Sequence, residues 1–188
     1  MTEELVCWRR LDCPGHEAAR LTFHDPFWHL SGTAVFAEEG QPCRLEYVIA
    51  CSAAWYTLRA NVTGWVGRRC VRLNIVRDPS HRWRLNGRAC GEVDGCADLD
   101  LAFSPSTNSL PIRRLGLSIG QRAEVTAACL RFPALILEPL AQAYQRVEDR
   151  RYRYESLADH FTADLEVNAA GIVVRYPGLW EAEPVQLR

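Results

Sequence analysis

Polar and apolar residues alternate with a period of two along most of this chain, and turn-forming residues break the alternation every 8 to 12 residues. That period sends successive side chains to opposite faces of an extended backbone, so the pattern predicts many short antiparallel strands rather than helices. Runs rich in β-branched and aromatic residues mark them: RLEYVIAC, WYTLRANV, RCVRLNIV, AEVTAACLRF, FTADLEV and GIVVRY. Turns are expected at Cys13-Pro14-Gly15, Asp25-Pro26, Glu39-Gly40-Gln41-Pro42, Asn61 to Gly64, Asp78-Pro79, Asn86-Gly87, Asp94-Gly95 and Asn168 to Gly171. Asn86-Gly87 is a good hairpin signal, because both central residues of a tight turn need positive φ. The segment AQAYQRVEDRRYRYES has helical propensity, yet Tyr144, Val147, Tyr152 and Tyr154 around Glu148-Asp149 read as two strands.

Taken face by face, WYTLRANVT puts Trp55, Thr57, Arg59, Asn61 and Thr63 on one side and Tyr56, Leu58, Ala60 and Val62 on the other. The polar side either meets water or lines a partly polar ligand cavity inside a curved sheet, and periodicity leaves both open.

With 188 residues and no linker or low-complexity tract, residues 1–188 are expected to form one domain with a sizeable core. The net charge of −1 supplies no global field for nucleic acid, so none is expected as a partner. All 22 basic residues are arginine, so every cation is a planar fork suited to carboxylate, phosphate or sugar oxygens. No window approaches the roughly 18 apolar residues of a membrane helix, and the first residues carry no apolar run. A cytoplasmic protein that does not span a membrane is expected. The eight cysteines include no CxxC, and Cys51, Cys70 and Cys129 fall inside apolar strands, so reduced structural thiols are expected. Neither a cofactor nor a metal is called for.

Residues 98–115, DLDLAFSPSTNSLPIRRL, depart from ordinary scaffold. Asp98 and Asp100 form a D-x-D on a strand, with both side chains on one side. Such a pair can hold a divalent cation, divide acid and base roles, or simply pair with Arg113 and Arg114. Thr107, Asn108 and Ser109 are placed to cap a helix through LPIRRLGL, ended by Gly116 and Gly120. Arg113 and Arg114 diverge by about 100° around such a helix, so at most one can face straight into a cavity. The histidines His16, His24, His29, His81 and His160 show no metal-binding spacing, and no nucleophile elbow, phosphate loop or dinucleotide fingerprint occurs.

The block from Asp98 to Leu115, followed by YRYES and FTADLEVNAAGIVVRYPGLW, resembles a family of bacterial proteins named for glycolipid binding. The resemblance implies a mainly β fold, a spiral β-roll in which a long, curved antiparallel sheet wraps around a single short helix, and a homodimer. It encloses the arginines of SLPIRRLGL and makes Asp98 and Asp100 their natural partners. The function expected is non-catalytic binding of an amphiphile, a glycolipid or other lipid, in a curved-sheet cavity. Its head would lie near Arg113, Arg114, Asn108, Asp98, Asp100 and Arg59, and its tails against Trp, Leu, Ile and Val. Two alternatives stand beside it: an enzyme using Asp98 or Asp100 as acid–base or metal-binding groups, and a dimeric interaction module with a filled core.

Overall fold

The computed structural model describes residues 3–185. Eight strands come first: β1 (Glu3–Arg10), β2 (Gly15–His24), β3 (Phe27–Glu38), β4 (Gln41–Cys51), β5 (Thr57–Val66), β6 (Arg69–Arg77), β7 (Trp83–Leu85) and β8 (Arg88–Ala89). After β9 (Leu99–Leu101) and a helix, α1 (Ser109–Leu115), six more follow: β10 (Arg122–Arg131), β11 (Ile136–Glu148), β12 (Arg151–Ser156), β13 (Phe161–Val167), β14 (Val173–Tyr176) and β15 (Trp180–Glu183).

All fifteen strands belong to one open, curled sheet with the order β8-β7-β6-β5-β4-β3-β2-β1-β15-β14-β13-β12-β11-β10-β9. Two meanders are thus joined where β1 pairs with β15, with Cys7 opposite Glu183 and Arg10 opposite Trp180. Every pairing is antiparallel except that of β9 with β10. Because the meanders alternate direction, their connections gather at two ends of the roll. Connections 25–26, 52–56, 116–121, 149–150 and 168–172 form one end; 11–14, 39–40, 132–135, 157–160 and 177–179 form the other.

The curl brings the far edge back inside. The Thr57 N–H donates to the Ala97 carbonyl at 3.1 Å, and the Leu99 N–H donates to Thr57 Oγ1 at 3.0 Å, so β9 lies against the start of β5. A β-bulge opposite Ala50 and Cys51 inserts Leu58 as an extra residue. It also corrects the expected face assignment: Trp55 and Thr57 point inward, but beyond the bulge Arg59, Asn61 and Thr63 point out and Ala60 and Val62 point in.

The centre of the roll is packed. Leu99, Leu101 and Leu110 are fully buried, and Phe103 sits among Phe36, Tyr47 and Phe132 with ring centroids 6.1–6.5 Å apart. The segment between β8 and β10 therefore acts as the plug about which the sheet is wound.

Local chemistry explains most elements. The two-residue turn at Asn86-Gly87 has φ of 50° and 80°, and residues 141–156 form the β11–β12 hairpin, both as read from the sequence. Asn61 to Gly64 is not a turn but the middle of β5. A Cβ at Gly64 would collide with the Arg44 carbonyl, so glycine serves close strand approach there, and the chain turns at Gly67. α1 is present and ends at Gly116 in the left-handed region, φ 53°. Its start differs from expectation. A 3-10 turn, Pro105–Asn108, runs straight into it, so the Ser109 N–H bonds to carbonyls of that turn and Asn108 makes no cap bond. All eight cysteines are free; Cys51 and Cys129 are buried, whereas Cys70 is exposed on the outer face with Arg72 and Asn74.

Candidate functional site

The expected residues do not converge on one point. Asp98, 1% exposed, receives Arg114 through both carboxylate oxygens: Nε to Oδ1 at 2.9 Å and Nη2 to Oδ2 at 2.6 Å. The two ends of the plug are thereby tied together, and the two-pronged fit repays part of the cost of burying both charges. Asp100, two residues on, goes elsewhere. Its Oδ2 accepts from Gln142 Nε2 at 2.8 Å, and burial pushes its carboxyl up from the ordinary range. Asn108 donates from Nδ2 to the buried Tyr144 hydroxyl at 2.9 Å. Arg59 stands exposed on the outer face of β5, apart from the others.

Arg113 is half-buried and is held differently from Arg114. Its guanidinium lies 5.0 Å from the Trp55 ring and 5.9 Å from Trp28, two indoles that stack on each other at 4.4 Å. Its Nε is buried without a hydrogen-bond partner, and no carboxylate pairs with it among the described residues. Desolvation lowers its pKa. Gly171, with φ of 72°, leaves room for the side chain, since a Cβ there would approach Arg113 Cδ to 3.2 Å. Beyond it opens a cleft of about 370 Å³ lined by Arg146, Arg150, Tyr152 and Asn168. Arg146 is already engaged by the carbonyls of Leu117 and Asp149. The exposed aromatic residues Phe27 and Tyr56 lie at the connections of the same end.

Among the described residues no group of three or more His, Cys, Asp or Glu side chains comes together as a metal site. None of their helices is long and apolar enough to cross a membrane.

A family model described as "Putative glycolipid-binding" matches residues 5–182. The chain belongs to this family. A crystal structure of a DUF1089 family protein from Pseudomonas aeruginosa is similar to it, 36% identical over 88% of this chain and 90% of that one, with a TM-score of 0.79. No curated protein matches the chain.

In this member of the glycolipid-binding family, one polar centre escaped the sequence reading. Glu17 on β2 is 1% exposed, and its Oε1 accepts from the Tyr47 and Ser104 hydroxyls, each at 2.6 Å. With its one hydrogen given to Glu17, the Tyr47 hydroxyl oxygen accepts from the Ser106 hydroxyl at 2.7 Å. The Tyr47 phenol crosses β3 at Gly32, where a Cβ would collide with the ring and hydroxyl. Burial pushes the Glu17 carboxyl up to about 7, while the bonds from Ser104 and Tyr47 pull it the other way. The signal was in the phase of β2: Glu17 shares a face with Ala19 and Leu21, the inward one. This centre also explains the polar run at 104–109, whose residues are all buried. Ser104 and Ser106 hold the plug to the N-terminal meander, and Asn108 holds it to the C-terminal one.

Proposed function

We propose that the protein binds an amphiphile, a glycolipid or other lipid, without transforming it, and receives the polar head at Arg113. One observation carries the reading: Arg113 is enclosed over Trp55 and Trp28 with its Nε buried and unbonded. Leaving a buried donor unmade costs about 1–3 kcal/mol, a cost that a phosphate, carboxylate or sugar oxygen at this position would offset. Arginine's planar fork suits such oxygens, and the stacked indoles give a flat surface to a sugar ring or the first methylenes of a chain. Because the plug fills the axis of the roll, the apolar part of the ligand lies at the rim, against Trp28, Phe27 and Tyr56. Arg114 and Asp98 serve as the tie behind the site, and Arg59 has no part in it. The catalytic alternative is favoured by a single feature, the buried Asp100 carboxyl.

Native mass spectrometry of freshly purified protein, with organic extraction of whatever is released, tests the proposal. Wild type should carry an amphiphile in defined stoichiometry, and folded Arg113→Ala should lose it. Equal retention by the variant would remove Arg113 from the site, and ligand-free wild type from both native and foreign hosts would overturn the proposal.

A further inference from the structure

At the end of the roll opposite Arg113, a second opening lies between the plug and the C-terminal meander. It is a cavity of about 130 Å³ lined by Asp100, Asn108, Arg131, Tyr154, Tyr176 and Trp180, among others. Its size lies well below the roughly 300 Å³ at which drug-sized ligands begin, so it suits one small ring or a few heavy atoms and not a lipid tail.

The groups around it form a matched set of donors and acceptors. Among the described residues Asp100 has no salt bridge: Gln142 occupies Oδ2, and the Cys129 thiol stands near Oδ1, at 3.8 Å. Asn108 uses its amide N–H on Tyr144, which leaves its side-chain oxygen as an acceptor. Tyr154 accepts from Gln142 Nε2 at 3.1 Å, so its own hydroxyl hydrogen is available to donate. Tyr176 packs edge-on to Tyr154 at 5.9 Å and brings a second phenol. Arg131, held by Glu138 at 3.3 Å, places a cation at this opening. Phe161, partly exposed, extends the aromatic wall formed by Tyr154 and Tyr176.

A ligand that only donates, such as an ammonium ion, would leave the phenols unmatched and meet Arg131. One that only accepts, such as phosphate, would meet Asp100. Hydroxyl groups both donate and accept, and the C–H face of a ring packs on aromatic walls. We infer that this cavity is a site for a small neutral polyhydroxy compound, a single sugar ring or a cyclitol. The site is separate from the Arg113 end and does not depend on the reading given to that end.

Isothermal titration calorimetry of the full chain with methyl α-D-glucopyranoside and with myo-inositol tests it, with ethylammonium chloride and inorganic phosphate as charged comparisons. Saturable binding of at least one neutral probe at one site is expected. Asp100→Asn, which keeps the shape, and Tyr176→Phe should each weaken it about tenfold or more. Ala102→Phe places a ring at a lining residue that is exposed, so it can block the mouth without entering the core, and should abolish binding while the melting temperature holds. Three results would each overturn the inference: no saturable binding of either neutral probe, binding indifferent to all three folded variants, or preference for ethylammonium or phosphate.

Discussion

Glu17 and Asp98 are equally buried, 1% exposed each, and both fasten the same plug, yet their surroundings are opposite. Asp98 meets a guanidinium through two hydrogen bonds. Glu17 meets only hydroxyls, with Arg10 acting from a distance, and desolvation pushes its carboxyl up to about 7. Burial alone therefore does not set how a carboxyl behaves; the charge of its partner does. A carboxyl given neutral donors alone, as Glu17 is, makes a tie whose strength depends on pH.

Removing the compensation should produce the largest effect. Arg114→Ala leaves Asp98 buried and unpaired, and should destabilise the protein by about 3–5 kcal/mol in urea unfolding. The double variant Asp98→Ala/Arg114→Ala should recover part of that loss, because no lone charge remains. A single-variant cost below about 1 kcal/mol would mean that the pair is effectively solvated.

For Glu17 the prediction concerns pH. Its folded value, about 7, stands above the ordinary 4.5, so the folded state holds the proton more tightly between those values. Its contribution is fully present below pH 4.5 and is lost as pH rises to about 7, an order-of-magnitude difference of about 3 kcal/mol. Glu17→Gln should remove this slope, so the stability difference between variant and wild type should shift in the variant's favour from pH 4.5 to pH 8. A difference constant across that range would show that Glu17 stays ionised in the fold.

The pattern of two could specify strands and turns because those depend on near neighbours. Asn86-Gly87, the hairpin at 141–156 and the stop at Gly116 all depended on residues within a few positions. The face of Arg59 did not, since the bulge that turns it outward exists only where β5 meets β4. The candidate site was legible to the same degree. The tie between Asp98 and an arginine was foreseeable from chemistry in one block, but which arginine depended on how α1 enters the roll. Tyr47 and Ser104 lie 30 and 87 residues from Glu17 in the chain, separations no periodicity spans. That Arg113 has no salt-bridge partner among the described residues, with Glu4 acting on it only from a distance, is a property of the assembled fold alone.

Gly32 offers a smaller way to disturb the Glu17 side of the comparison. Gly32→Ala puts a methyl group where Tyr47 crosses β3 and should displace the phenol from Glu17. The expected cost is about 1–2 kcal/mol of stability. Loss of the Tyr47 bond, which lowers the Glu17 pKa, should also move the stability transition to higher pH. Hydrogen exchange of the Ser106 amide, in the 3-10 turn of the plug, should accelerate. An unchanged pH profile would place the cost in packing against β3 and not in the carboxyl.

Arg113→Ala should have the smallest effect on stability, about 1 kcal/mol, because the loss of its contacts with the Trp55 and Trp28 rings is partly offset by relief of a buried donor without a partner. Its neighbour Arg114 should cost several times more, although the two residues are adjacent and chemically identical. That contrast separates a cation used for holding the fold from one left available to a ligand. Arg113→Lys sharpens it: the ammonium keeps the charge but loses the planar fork, so it should retain stability and bind an anionic amphiphile more weakly than wild type. In vesicle co-sedimentation with anionic lipid, the order wild type, Arg113→Lys, Arg113→Ala is expected. A large loss of stability in folded Arg113→Ala, comparable with that of Arg114→Ala, would instead make Arg113 a second structural tie.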